Sequence, residues 1–330
     1  MSRDVACDNL KGFLILMVIV THIYGNYDGI SVFLNSFYNC VHLFMMPGFV
    51  FLSGYFSKDV DRARENAVKS FLIPYSLIDT TLAFLDWIRS GNNRCFFEVF
   101  NIATPRWALW YLLCMFYWRS FAKDIMRLRK PVLTVVVLSL AMPVFRSWGT
   151  PFALGRATAF LVFFAAGLCF KESWMEELKT TDPLVGLMGM TLMVMIGVTL
   201  MRYGLLTRET LYANKPYPAD GMFMGMVMRI EFYVISSVMV VSLLVLIPKR
   251  SCVLTNIGRN SITAYVLHVF VVFFLRKLGL MRMLLPSGEF GMLFMAFVWA
   301  FLMAILFTAK PIVKAYGFVM DSAIEVLYGK

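Results

Sequence analysis

Residues 8–22, DNLKGFLILMVIVTH, open with an acid and a base and close on a threonine and an imidazole, with an apolar run between them. On a helix Lys11 and His22 lie about 16 Å apart along the axis. Eleven residues is close to three whole turns, so the two side chains share a face, and Asp8, three residues before Lys11, joins it. Ionisable groups at membrane depth are costly and usually face a cavity or a partner. A histidine so placed can act as a general base. Removing a proton from a hydroxyl, so that its oxygen attacks an activated acyl group, needs one base and one group to steady the oxyanion. His22 can supply the first, and His42 or Arg229 the second. This permits acyl transfer without selecting it, because a histidine bonded to a neighbouring helix would leave the same pattern.

The other polar groups within apolar stretches fall at comparable depths. His22 and His42 lie roughly 9 and 10 Å below one surface, so adjacent helices would place them in one layer. His268 shares a helical face with Ser261 and Tyr265. Arg229 lies about 12 Å inside its span. Its guanidinium keeps its charge and needs an anion or a water-filled pocket. Glu231 points elsewhere, and Asp79 or Asp86 would be its ion-pair partner if the role is purely structural. The run RWALWY at 106–111 is either part of an interfacial aromatic belt or a platform for a pyranose ring. On the second reading Trp107, Trp110, Tyr111, Arg156 and His268 bind the substrate.

The elements that position these groups follow from composition. Of 330 residues 60% are hydrophobic and 15% charged, and the mean hydropathy is +0.72. A water-soluble domain does not need so much apolar surface, so the expected fold is an all-α integral membrane protein. Ten spans are predicted, at about 10–28, 35–57, 67–88, 107–123, 131–147, 154–171, 184–203, 221–247, 260–278 and 290–310. They are expected to form one bundle and a single domain over 1–330. With the N-terminus inside, 19 basic residues fall on the inner side and 11 on the outer, which favours cytoplasmic termini. Pro47, Pro74 and Pro143 are expected to kink their spans. Gly221 and Gly225 form a G-x-x-x-G expected to allow close helix packing. The N-terminus lacks the layout of a cleaved signal peptide.

Several function classes are excluded. The net charge of +11 is spread between spans, with no basic domain for nucleic acid. The six cysteines show no C-x-x-C or metal spacing, so no metal is expected. G-x-S-x-G, H-E-x-x-H, P-loop and dinucleotide fingerprints are all missing.

Six motifs carry a resemblance: DNLKGFLILMVIVTH (8–22), MMPGFVFLSGYFSK (45–58), FLIPY (71–75), WALWYLLCMFYWR (107–119), RATAFLVFFAAGLCFK (156–171) and IGRNSITAYVLH (257–268). In this order the chain resembles the acyltransferase 3 superfamily of integral membrane acyltransferases, and most of all its fucose 4-O-acetylase-like branch. The resemblance implies a multi-pass enzyme of the bacterial inner membrane. It would move an acetyl group from acetyl-CoA to a sugar hydroxyl of a surface glycan or its lipid-linked precursor, among membrane lipids. The family's base-x10-histidine pattern maps onto Lys11 and His22. His22 is then the base and Lys11 lies towards the donor, with Arg64 and Lys69 as further bases for the CoA phosphates. Where the branch reads histidine-methionine-proline, this chain reads Met45-Met46-Pro47, and His42 stands one turn earlier. The R-x-x-R of other branches is missing. A glycan or lipid carrier without chemistry, or a degenerate acyltransferase-like subunit, would share the same polar cavity. The sugar, the acyl group beyond acetyl and the oligomeric state are not legible.

Overall fold

The computed structural model describes residues 4–25, 31–89, 100–101, 103–280 and 288–329. The end of the first predicted span, 26–28, and most of the connection 89–106 lie outside the described residues. Helix α1 (Val5–Tyr24) is capped by Asp4, whose carboxylate accepts the backbone N–H groups of Ala6 and Cys7 at 3.0 and 3.2 Å. Helix α2 (Val32–Tyr55) contains Pro47. A short α3 (Val60–Glu65) leads through a π-helical turn (Val68–Leu72) into α4 (Ile73–Arg89). Pro74 sits just beyond that turn, where the regular hydrogen-bond ladder is already interrupted.

A 3₁₀ turn (Trp107–Leu109) opens α5 (Trp110–Met126), and α6 spans Pro131–Ala141. Pro143 lies in the 3₁₀ turn Met142–Val144 that follows α6, so it ends this helix rather than kinking it. Another 3₁₀ turn (Pro151–Ala153) precedes α7 (Leu154–Cys169). The rest are α8 (Glu172–Thr180), α9 (Pro183–Arg202), α10 (Arg208–Tyr212), α11 (Met222–Leu246), α12 (Val253–Arg259), α13 (Ser261–Lys277), α14 (Glu289–Phe307) and α15 (Lys310–Tyr328).

Among the described residues there is no strand, and the protein is an all-α integral membrane protein. A helix stands on each of the ten predicted stretches. Among the described residues, seven segments are long and apolar enough to cross a bilayer: α1, α2, Val68–Arg89, Pro151–Cys169, α9, α11 and α14. The pair α12 and α13, bent by 81°, makes an eighth if taken as one broken span. The stretches at 107–123 and 131–147 form shorter helices, α5 and α6; α5 carries Arg119, Lys123 and Asp124. Helix α15, which lies beyond the predicted spans, has no buried residue.

The chain divides into two compact units. One comprises 1–52, 171–211 and 230–318, the other 53–170, 212–229 and 319–330. In the first, α1 is the central element: Leu10, Leu14, Ile15 and Ile19 are fully buried, and it packs on α12, α13 and α14. Two glycines allow the closest approach. A β-carbon on Gly258 would stand 1.7 Å from the Asp8 carbonyl oxygen, and one on Gly12 would stand 2.2 Å from that of Leu254. Asn9, also fully buried, fixes the preceding turn. Its amide donates to the Pro248 and Arg250 carbonyls at 2.7 and 2.9 Å, and its carbonyl accepts from the Thr255 hydroxyl at 2.6 Å.

In the second unit α5 packs on α3 and α7, and α6 on α7. Trp118 donates its indole N–H to the Ala157 carbonyl at 2.8 Å, satisfying the polar edge of a buried ring. The G-x-x-x-G pair serves a different contact from the one expected. Gly221 precedes α11, and a β-carbon on Gly225 would meet the Tyr217 ring at 2.5 Å. The close packing is therefore with the preceding loop.

Candidate active site

The bend between α12 and α13 sets up the central contact. Arg259, the last residue of α12, lies 3.2 Å from Asp8 on α1. The chain then turns at Asn260, and α13 runs along α1 until His268 meets His22. His22 Nδ1 is 2.8 Å from His268 Nε2, and the two rings meet edge to edge and nearly coplanar, with centroids 5.1 Å apart at 13°. His268 is fully buried and His22 part-exposed.

The surrounding groups assign the protons. His268 Nδ1 lies 3.1 Å from the Ala264 carbonyl, which only accepts, so Nδ1 carries hydrogen. The neutral ring then presents Nε2 as an acceptor, and His22 Nδ1 must donate to it. His22 is left with its lone pair on Nε2. The order is carbonyl, buried imidazole, part-exposed imidazole. When His22 Nε2 gains a proton, the bond from Nδ1 to His268 steadies the imidazolium without moving any group.

Arg276, eight residues beyond His268 on the same helix, donates Nη2 to the His22 carbonyl at 2.5 Å. Thr21, beside His22, donates its hydroxyl to the Val18 carbonyl at 2.9 Å and lies 3.8 Å from the Met45 sulfur. Met45 thus packs against the turn of α1 that carries His22. His42 is buried, with Nδ1 2.7 Å from the Tyr38 carbonyl and its ring 4.1 Å from the Tyr38 ring. The imidazole paired with His22 therefore comes from α13, not from α2. At the other end of α1, Lys11 lies 3.7 Å from Asp8, which it shares with Arg259.

The remaining candidates belong to the second unit. Arg156 donates Nε to the Tyr212 carbonyl at 3.0 Å, and its guanidinium lies 5.0 Å from the Trp110 ring. Trp110 packs edge-on to Tyr111 at 6.2 Å and against Phe160 at 5.2 Å. The Tyr111 and Ser53 hydroxyls are 2.8 Å apart. Trp107 holds φ at +44°, a conformation that a residue with a β-carbon adopts at a cost of about 1–3 kcal/mol. Arg106, just before it, ties this turn to α4, lying 3.6 Å from Asp79 and 3.4 Å from Asp86.

The two acids offered from sequence as partners for Arg229 are thus on Arg106. The buried Arg229 instead lies beside Tyr217. Burial raises the Tyr217 hydroxyl above its ordinary pKa, and the Arg229 charge opposes the rise. Of the bases expected to hold CoA phosphates, Arg64 lies 3.8 Å from Asp124 and Lys69 is 4.8 Å from the Tyr328 ring.

The sequence reading missed Arg276, Tyr38 and Arg208 in the first unit, and Arg119 in the second. Arg119 lies 4.8 Å from the Phe71 ring and close to Tyr111. All three arginines lie near the ends of apolar runs. Their one available signal was a position in the first or last turns of an apolar run, which orientation signals share. Among the described residues no group of three or more histidine, cysteine or acidic side chains is placed to hold a metal.

The acyltransferase 3 family model, an acyltransferase domain, matches residues 4–309, and the chain belongs to this family. No curated protein and no solved structure matches it. With its apolar helices, the protein is a multi-pass membrane acyltransferase.

Proposed function

We propose, from the chain's membership of the acyltransferase 3 family, that it is an O-acetyltransferase with His22 as general base. The donor is acetyl-CoA, and the acceptor is a sugar hydroxyl of a surface glycan or its lipid-linked precursor. The protein then works in a bacterial inner membrane with both termini in the cytoplasm, as an enzyme of the fucose 4-O-acetylase-like branch. The single observation that carries this reading is the 2.8 Å contact between His22 Nδ1 and His268 Nε2, backed by the Ala264 carbonyl. It supports a tautomer of His22 with its lone pair on Nε2, which a proton-abstracting residue needs.

His22 Nε2 takes the hydroxyl proton as the acceptor oxygen attacks the thioester carbonyl. A C–O bond forms and the carbonyl oxygen gains negative charge. Collapse of the tetrahedral intermediate breaks the C–S bond. The leaving thiolate takes the proton from His22, giving the ester and free CoA. His268 keeps His22 in the productive tautomer, the part a buried carboxylate plays behind the histidine of a serine protease. Arg229 or His42 steadies the oxyanion, and Arg276, held at the His22 backbone, is a third candidate. Lys11, Arg64 and Lys69 hold the CoA phosphates, while Trp107, Trp110, Tyr111 and Arg156 receive the sugar.

The test uses purified protein in liposomes, with acetyl-labelled acetyl-CoA and cell-envelope glycan. Label enters the glycan with the wild type. It falls by about 10²–10⁴-fold in His22→Ala, while that variant still inserts and elutes as a single species. Full transfer by the variant refutes the base. Glycan crossing the bilayer unlabelled identifies a carrier instead.

A further inference from the structure

The acyl-transfer mechanism leaves Arg208 without a task. This residue opens α10, and its guanidinium lies across one face of α2. It donates through Nη2 to the Asn35 side-chain carbonyl and through Nε to that of Asn39 at 3.3 Å. Its charge lies 5.1 Å from the centre of the Tyr38 ring. Asn35, Tyr38 and Asn39 are spaced i, i+3 and i+4, so α2 presents them together.

All three partners are neutral, and among the described residues Arg208 forms no ion pair with a carboxylate. Arg208 is part-exposed and Asn35 exposed. A guanidinium has five N–H donors and keeps its charge at any working pH. The two hydrogen bonds use two of those donors, and among the described residues no carboxylate meets the charge.

This cluster connects to the catalytic end of α1. The Tyr38 ring that lies under Arg208 also packs against His42, tilted by 33°, and meets Tyr24 edge-on at 6.1 Å. Tyr24 stands two residues after His22. Arg276, which holds the His22 carbonyl, lies within electrostatic reach of the Tyr38 hydroxyl. Arg208 thus reaches, through the Tyr38 ring, the Tyr24 side chain at the same end of α1 that carries His22.

We infer that Arg208, held by Asn35 and Asn39, is an acceptor subsite for a carboxylate, so that the sugar receiving the acyl group belongs to an acidic glycan. One guanidinium matches one singly charged group, and planar guanidinium–carboxylate pairing gives direction as well as attraction. The inference rests on the acyl-transfer reading and adds the charge of the acceptor.

The experiment compares short oligouronides with the same oligosaccharides after carboxyl reduction, using purified protein and acetyl-CoA. The wild type should favour the acidic form by at least about tenfold in kcat/KM, equivalent to about 1.4 kcal/mol. Arg208→Gln should lose that preference and Arg208→Lys should keep most of it, with the KM for acetyl-CoA the same in all three. A purely structural clamp would not discriminate acidic from neutral acceptors. Equal use of both forms by the wild type, or an undiminished preference in Arg208→Gln, overturns the subsite alone. Transfer to neither form overturns the acyl-transfer reading beneath it.

Discussion

His22 and His268, 246 residues apart in the chain, share a 2.8 Å contact in which one imidazole orients the other. The buried ring has its second nitrogen on a backbone carbonyl, so in the proposed mechanism it fixes a tautomer rather than meeting substrate. His268→Ala should lower kcat by about 10–100-fold, less than loss of the base itself, with little change in the KM for either substrate. His268→Gln, whose side-chain carbonyl can accept from His22 Nδ1, should recover part of the loss. Steady-state kinetics on the purified variants reads both effects.

The contact depends on the close crossing of α1 and α12. Gly258→Ala places a methyl group against the Asp8 carbonyl, backbone against backbone, where no side chain can swing aside. It should destabilise the protein by about 1–3 kcal/mol and lower transfer as α13 shifts. Thermal unfolding in detergent and the transfer assay measure the two consequences together.

Arg106 lies beside an acid that is only 1% exposed. Arg106→Gln leaves the buried Asp79 carboxyl without its cation and should cost about 3–5 kcal/mol, as broken buried pairs do. Asp79→Asn in the same background should restore most of that stability. A double variant no more stable than Arg106→Gln alone would show that the pair does not hold the Trp107 turn. Denaturant titration in mixed micelles supplies the comparison.

Outside the spans, the Asp4 cap also carries an ion pair, with Lys179 Nζ 2.6 Å from its carboxylate. Burial alone would raise the Asp4 pKa, but the Lys179 hydrogen bond and charge, with the backbone of Cys7, hold it below its ordinary 3.8. Burial alone would lower the Lys179 pKa, but Asp4 and Glu176 raise it above 10.5. The depressed acid contributes stability above about pH 4 that is lost as pH falls through its folded value. The raised base contributes below about pH 10.5, and its share is lost as pH rises through the folded value. The pair should therefore stabilise α1 across the whole window between, by about 1 kcal/mol. Lys179→Met should remove that increment at pH 7 and flatten the loss at both extremes of a Tm-against-pH series.

The order of helices was legible because each stretch is apolar for long enough to demand a membrane or a protein interior. The break between α12 and α13 was not, since Asn260 lies in a run that reads as the start of one span. His22 was legible from its depth and from the base-x10-histidine spacing. Its partner was not: His268 was placed with the substrate, and His42 was offered as the second imidazole because it is near in sequence. Long-range pairing of single side chains leaves no periodic trace. Charges such as Arg208 and Arg276 near helix ends look like orientation signals until their partners are seen. The acids on α4 show the same limit, since distance along the chain did not reveal that Arg106 rather than Arg229 would meet them.

The most direct measurement is a double-variant cycle on single-turnover acetyl transfer, comparing wild type, His22→Ala, His268→Ala and the double variant. If His268 acts only through His22, the double variant transfers no more slowly than His22→Ala, and the two single losses fail to add. Independent, multiplicative losses, or a full rate without His22, would contradict the pairing of these imidazoles as one catalytic unit.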